Sequence, residues 1–121
     1  MDRVRIENHR GKRLIVVDGT DVGADEYPAV LRAGAQAISL EPAGSVRLLT
    51  VVTRARYGRG AAENIKTYSA AIKPYLKASA VVGLSPLQQV IFWAIKPFAH
   101  RTLTSFATLD EARDWLASSG E

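Results

Sequence analysis

Three short segments of this chain combine residue types that could hold a ligand. Asp18-Gly19-Thr20, Thr53-Arg54-Ala55-Arg56 and Gly83-Leu84-Ser85 each follow an apolar run and bring together small, hydroxylic or ionic residues. A guanidinium presents a fixed fork of N–H donors that matches carboxylates and phosphates, and the first amides of a helix add donors for an anion. Anion binding is therefore the chemistry that Arg54 and Arg56 suggest, with Asp18, Thr20, Thr53 and Ser85 as further ligand contacts. The spacing is not that of a phosphate-binding fingerprint. A solvated loop, with Ser85 acting only as a helix cap, is the plain alternative.

No catalytic set accompanies these segments. Cysteine is absent, which excludes disulfides, zinc–thiolate sites and thiol chemistry. His9 and His100 lack metal-ligand spacing. Ser85 is not set in a nucleophile elbow. Asp110, Glu111 and Asp114 fall in the first turns of a helix, where acids stabilise the positive end of its dipole. Without a convergent acid, base and nucleophile, the expectation is a chain that is not an enzyme and needs no metal or cofactor.

The elements that would position the three segments read as an α/β fold. Val4 and Ile6 alternate with charges, and Leu14-Ile15-Val16-Val17 comes after a short turn containing Gly11, which predicts a β-hairpin. Tyr27, Val30, Leu31, Gly34 and Ile38 recur at helical spacing within 24–40, with Pro28 in the first turn. Val46 to Thr53 reads as a strand buried on both faces. A second helix is expected over 61–76, in which Pro74 should kink or tighten the last turn. Val81 and Val82 mark a strand over 79–83, left through Gly83. Ser85-x-x-Gln88 has the form of a capping box opening a third helix to about Phe98. A last strand, 102–106, precedes a second capping box, Thr108-x-x-Glu111, and a final helix. The order is a hairpin and then βαβαβα units. It implies a mixed five-stranded sheet with an antiparallel first strand, four parallel strands and four helices.

The third helix carries more apolar surface than one face requires. At about 100° per residue, Leu87, Val90, Ile91, Ala94, Ile95 and Phe98 form one stripe. Phe92 falls instead among Gln88, Gln89 and Lys96, with Trp93 on the flank. Phe92, Trp93 and Lys96 are therefore expected at a contact surface, most simply that of a homodimer. Lys73, Lys77, Lys96, His100 and Arg101 gather near helix ends, where complementing the helix dipole is explanation enough.

Composition sets the outer bounds. At 121 residues, 47% hydrophobic and 23% charged, the chain is expected to form a single domain over 1–121 with a core of its own. The net charge of +4 permits anionic partners, but no nucleic-acid motif accompanies it. No run approaches a membrane span, and no apolar signal core lies behind Met1-Asp2-Arg3. A bacterial, cytoplasmic protein is the expectation.

The carboxyl-terminal half resembles the SpoIIAA-like family, relatives of the STAS domains of anti-sigma-factor antagonists. The resemblance is carried by residues 73–83 (Lys73-Pro74-Tyr75-Leu76 through Val81-Val82-Gly83), by His100-Arg101, and by residues 106–116, from Phe106-Ala107-Thr108 to Asp114-Trp115-Leu116. It implies a STAS-like fold, often compared with CRAL-TRIO lipid-transfer domains. Antagonists of that kind carry an Asp-Ser-Ser/Ala-Gly motif at a strand-to-helix turn, whose serine is phosphorylated. The corresponding turn here reads Thr53-Arg54-Ala55-Arg56-Tyr57-Gly58, so the resemblance does not bring the phospho-switch with it. The function expected is a non-enzymatic binding or regulatory module acting on a protein partner or a small anionic or apolar ligand. A small hydrophobic-ligand or lipid carrier is the alternative.

Overall fold

The computed structural model describes residues 3–86, 88–89 and 103–119. Its chain opens with the hairpin, β1 (Val4–His9) and β2 (Lys12–Asp18), joined through Arg10 and Gly11. Both turn residues have positive φ, 52° and 78°, the backbone that matches the twist of two antiparallel strands. His9 pairs with Lys12 and Val4 with Val17. This register lays the start of β1 beside the end of β2.

Strands β3 (Val46–Val51), β4 (Leu76–Val82) and β5 (Leu103–Phe106) run parallel to β2, giving the order β1-β2-β3-β4-β5. The mixed five-stranded sheet is as expected. Of the four expected helices, three stand among the described residues: α1 (Tyr27–Ile38), α2 (Ala61–Ile72) and α3 (Leu109–Ser118). The helix expected from Ser85 to Phe98 begins within the described residues, where Gln89 N–H donates to the Ser85 carbonyl at 2.8 Å. The rest of it lies outside them.

Alternation along the strands divides the core into two layers. Ile15, Val17 and Leu48 face one side of the sheet with Tyr27, Val30, Leu31 and Ile38 of α1 and Ile72 of α2. Leu14, Val16, Leu49, Ala80 and Val82 face the other with Ala112 and Leu116 of α3. Each fully buried leucine or valine contributes roughly 1.5–3 kcal/mol of transfer free energy. The five positions expected on the inner face of α1 are its five buried ones.

Several boundaries differ from the sequence expectation, for local reasons. Helix α1 starts at Tyr27 because Gly23 to Glu26 form turns, closed by Glu26 N–H to the Gly23 carbonyl at 3.0 Å. Strand β3 stops at Val51. Val52 then donates to the Val82 carbonyl at 2.8 Å, and Ala55 folds back onto the Val52 carbonyl at 3.0 Å. Helix α2 ends at Ile72, and Pro74 tightens the chain beyond that point into a 3₁₀ turn, Lys73–Tyr75. Strand β4 begins earlier than expected, at Leu76, because Val46 of β3 supplies a pairing partner there. The N-cap half of the box at Thr108 forms: Glu111 N–H donates to Thr108 Oγ1 at 3.2 Å, and the Glu111 carboxylate accepts from that hydroxyl at 3.0 Å rather than from the Thr108 N–H. Arg47 of β3 closes the other end of α3, donating to the carbonyls of Leu116 at 3.0 Å and Ser119 at 3.3 Å.

Candidate functional site

The carboxyl ends of β2, β3 and β4 bring the turns 18–22, 52–57 and 83–86 to one edge of the sheet. That edge is where loops and helix starts gather in α/β proteins, and where ligands bind in them. Backbone bonds lace the turns together. Gly19 N–H donates to the Val51 carbonyl at 2.7 Å, Asp21 N–H to the Thr53 carbonyl at 2.9 Å, and Arg56 N–H to the Val22 carbonyl at 2.9 Å. The approach at Gly19 is close: a Cβ there would stand 3.0 Å from the Val51 carbonyl oxygen.

Gly83 joins the third turn to the second. Its φ of +97° lies in the left-handed region, and a Cβ would come within 2.3 Å of Thr53 Oγ1 and 2.6 Å of Thr53 N. Only glycine fits. The Thr53 side chain occupies the space over Gly83 that any other residue would fill.

Asp18, Asp21 and Arg54 of this rim are held by partners inside the chain. Asp18 Oδ1 accepts from Thr20 N–H at 2.9 Å, an Asx turn, and Oδ2 accepts from Arg5 at 3.1 Å. Burial alone would raise the Asp18 pKa. The Thr20 hydrogen bonds and the Arg5 charge outweigh it and hold the carboxyl below its usual range. Arg3 donates to the Asp18 carbonyl at 3.1 Å, the Thr20 carbonyl at 2.9 Å and the Glu26 carboxylate at 3.0 Å. Both arginines reach the rim because the antiparallel register sets the start of β1 there. Arg54 grips Asp21 with two bonds of 2.6 and 2.9 Å, and this hydrogen bonding lowers the Asp21 pKa.

The six residues expected to bind a ligand thus divide. Asp18, Thr20, Thr53, Arg54 and Arg56 lie on two turns tied directly to each other. Ser85 stands on the third and caps the helical turn: Gln88 N–H donates to Ser85 Oγ at 3.2 Å, and Ser85 N–H donates to Gln88 Oε1 at 2.8 Å. The side chains of Asp18 and Arg54 are directed to partners within the fold, whereas Arg56 is exposed. Phe92, Trp93 and Lys96, expected at an interface, lie outside the described residues, as do His100 and Arg101.

Sequence reasoning missed two members of the rim. Asp21 carries no local signal, because its partner Arg54 is 33 residues away. Tyr57 packs edge-on against Tyr27, with ring centroids 5.0 Å apart at 83°. Burial raises the Tyr57 pKa, and a side-chain hydrogen bond from Gln88 opposes the rise. Tyr57 thereby links the second turn to α1 below and to the helical turn that Ser85 caps. Among the described residues no three carboxylate or imidazole groups gather in a way that could hold a metal ion, and no helix is long and apolar enough to cross a membrane.

No family model matches the chain, and no curated protein matches it. Solved structures do. The chain is similar to an uncharacterised protein of the DUF3478 family with a SpoIIAA-like fold from Shewanella loihica, with a TM-score of 0.75 and 16% identity over 93% of this chain and 91% of that one. It is also similar to an anti-sigma-factor antagonist (STAS) domain protein from Planctomyces limnophilus, with a TM-score of 0.65 and 16% identity over 95% of this chain and 98% of that one. At such identity the likeness shows the fold alone: it is SpoIIAA/STAS-like.

Proposed function

We propose that this SpoIIAA/STAS-like domain is a non-enzymatic binding or regulatory module of the cytoplasm, working through protein or small-ligand contacts at the carboxyl rim of its sheet. The observation that carries this reading is the lacing of three turns into one surface while that surface stays open to solvent. The bonds Asp21–Thr53, Arg56–Val22 and Val52–Val82 fix its shape before any partner arrives. A surface already in shape spends little ordering entropy on binding.

The module works without the phosphoserine switch of the antagonists. Thr53 is the hydroxyl residue between Val52 and Tyr57 that could stand in for the phosphoacceptor. Its Oγ1 lies over Gly83 on a half-buried side chain. The carrier alternative rests on fold analogy, and no observation among the described residues favours it over the rim. Self-association through Phe92, Trp93 and Lys96 rests on the sequence pattern. Light scattering of Phe92→Glu tests it: the parent should be dimeric and the variant a folded monomer.

Site-specific photo-crosslinking in cells tests the rim itself. A photoreactive amino acid replaces Thr20, Arg56 or Ser85 on the rim, and Ala43 in the turn before β3 at the opposite edge. Adducts from the rim positions and none from Ala43 support the reading. Adducts from Ala43 alone overturn it.

A further inference from the structure

Most described arginines away from the second turn are engaged, Arg32 on the exposed side of α1 being the exception. Arg3, Arg5, Arg10 and Arg113 hold Glu26, Asp18, Asp114 and Glu7 at 3.0, 3.1, 3.3 and 3.1 Å, Arg13 is paired with Glu41, and Arg47 caps α3. Within the turn itself, Arg54 is taken by Asp21. Arg56 and Arg59 are exposed and make no close ion pair among the described residues, although the Arg56 charge is near enough to Asp21 to help lower its pKa.

An exposed arginine alone is ordinary; what sets these two apart is the platform that carries them. The Arg56 backbone is bonded to Val22, and the preceding residue, Ala55, is bonded to Val52. Between the two arginines stands Tyr57, its ring wedged on Tyr27 and its hydroxyl met by Gln88, yet still 38% exposed. Arginine and tyrosine on a rigid frame are the residue types that dominate protein interfaces. Here two exposed arginines flank an exposed tyrosine along one short turn, on a chain whose net charge is +4.

The borders of this surface decide between kinds of anion. Gly58 lies against Ala24, where its Cβ would be 3.1 Å from the Ala24 Cβ, so Asp25 adjoins the turn. Glu63 sits in the first turn of α2, just past Arg59. A nucleic acid strand tracks over many phosphates and would meet these carboxylates. A short acidic protein segment needs only the two arginines and the ring. We infer that Arg56, Tyr57 and Arg59 dock an acidic segment of a partner protein, the arginines pairing with its carboxylates and Tyr57 packing against its chain. The inference rests on the rim reading above and names the chemistry of its partner.

The test uses fluorescein-labelled hexaglutamate, with fluorescence anisotropy for affinity and amide chemical shifts for location. The peptide should bind with shifts centred on residues 55–60. Arg56→Glu with Arg59→Glu should weaken it at least about tenfold. Arg32→Glu with Lys73→Glu, which changes the net charge by the same amount on exposed residues elsewhere, should change it less than about twofold. Melting curves establish that both double variants fold. Equal weakening in the two variants, shifts centred elsewhere, or no binding would overturn the inference. So would tighter binding at the rim by an oligothymidylate of equal charge. A failure with hexaglutamate leaves the rim reading to the crosslinks, which do not depend on the partner's charge.

Discussion

Asp21 and Arg54 grip each other across two turns by bonds of 2.6 and 2.9 Å, and each holds a left-handed backbone, φ 57° and 53°. Non-glycine residues adopt that conformation rarely and against a steric penalty. The ion pair is solvent-exposed and screened, so it is not what holds both residues there. The backbone bonds Asp21–Thr53 and Arg56–Val22 on either side impose the conformation, and the side chains meet as a result.

That order of causes can be read from two variants at one position. Arg54→Ala and Arg54→Gly both remove the ion pair, but only glycine also removes the left-handed penalty. The glycine variant should melt above the alanine variant. An alanine variant as stable as the glycine one would mean that residue 54 leaves the left-handed region in solution.

Gly83→Ala should be the costliest small change in the rim. The new Cβ would meet Thr53 backbone as well as its hydroxyl, so a rotamer change cannot relieve it. A loss above about 2 kcal/mol is expected in urea unfolding. Gly11→Ala provides the contrast, since its φ is also positive but nothing lies within 4 Å of the added atom. It should lose about 1 kcal/mol. Equal losses would show that the Thr53 contact is absent.

Tyr68 of α2 places its hydroxyl against α1, where a Cβ on Gly34 would stand 3.3 Å from it. The hydroxyl is buried and has no hydrogen-bond partner among the described residues, and burial raises its pKa. Removing an unpaired buried polar atom removes its desolvation penalty. Tyr68→Phe should leave stability unchanged or raise it by up to about 1 kcal/mol in thermal unfolding. A loss of about 1 kcal/mol or more would reveal a partner for that hydroxyl.

Acid should weaken the fold through its aspartates. Hydrogen bonding from His9 lowers the Asp114 pKa, hydrogen bonding from Arg54 lowers that of Asp21, and the Thr20 and Arg5 contacts lower that of Asp18 against its burial. A depressed carboxyl stabilises the fold fully above its unfolded value, near 3.8, and the stability is lost as pH falls through the lower folded value. The urea midpoint should therefore drop as pH falls below about 4. Asp18→Asn should show a smaller drop than the parent, because asparagine carries no charge to neutralise. An unchanged pH profile in that variant would remove Asp18 from the account.

What the sequence made legible was whatever is decided within a few residues. The α1 stripe, the Arg10-Gly11 turn, the capping box at Ser85, the N-cap at Thr108 and the tightening at Pro74 depend on local periodicity or local sterics, and each formed. The carboxyl rim was legible as a place, since a parallel sheet gathers its turns at one edge. Its internal pairing was not. Asp21–Arg54, Asp18–Arg5 and Tyr57–Tyr27 join residues 33, 13 and 30 positions apart, set by a register that no local pattern encodes. That pairing takes Arg54 as the partner of Asp21 and leaves Arg56 and Arg59 as the turn's outward-facing cations.

The central claim is that the rim is already built in the free protein, and backbone ¹⁵N relaxation measures this directly. Residues 53–57 should show order parameters near the rigid-backbone value of about 0.85, matching β3 and β4. Values below about 0.6 across the turn would show a floppy loop. That result would contradict the pre-formed docking surface on which the proposed function stands.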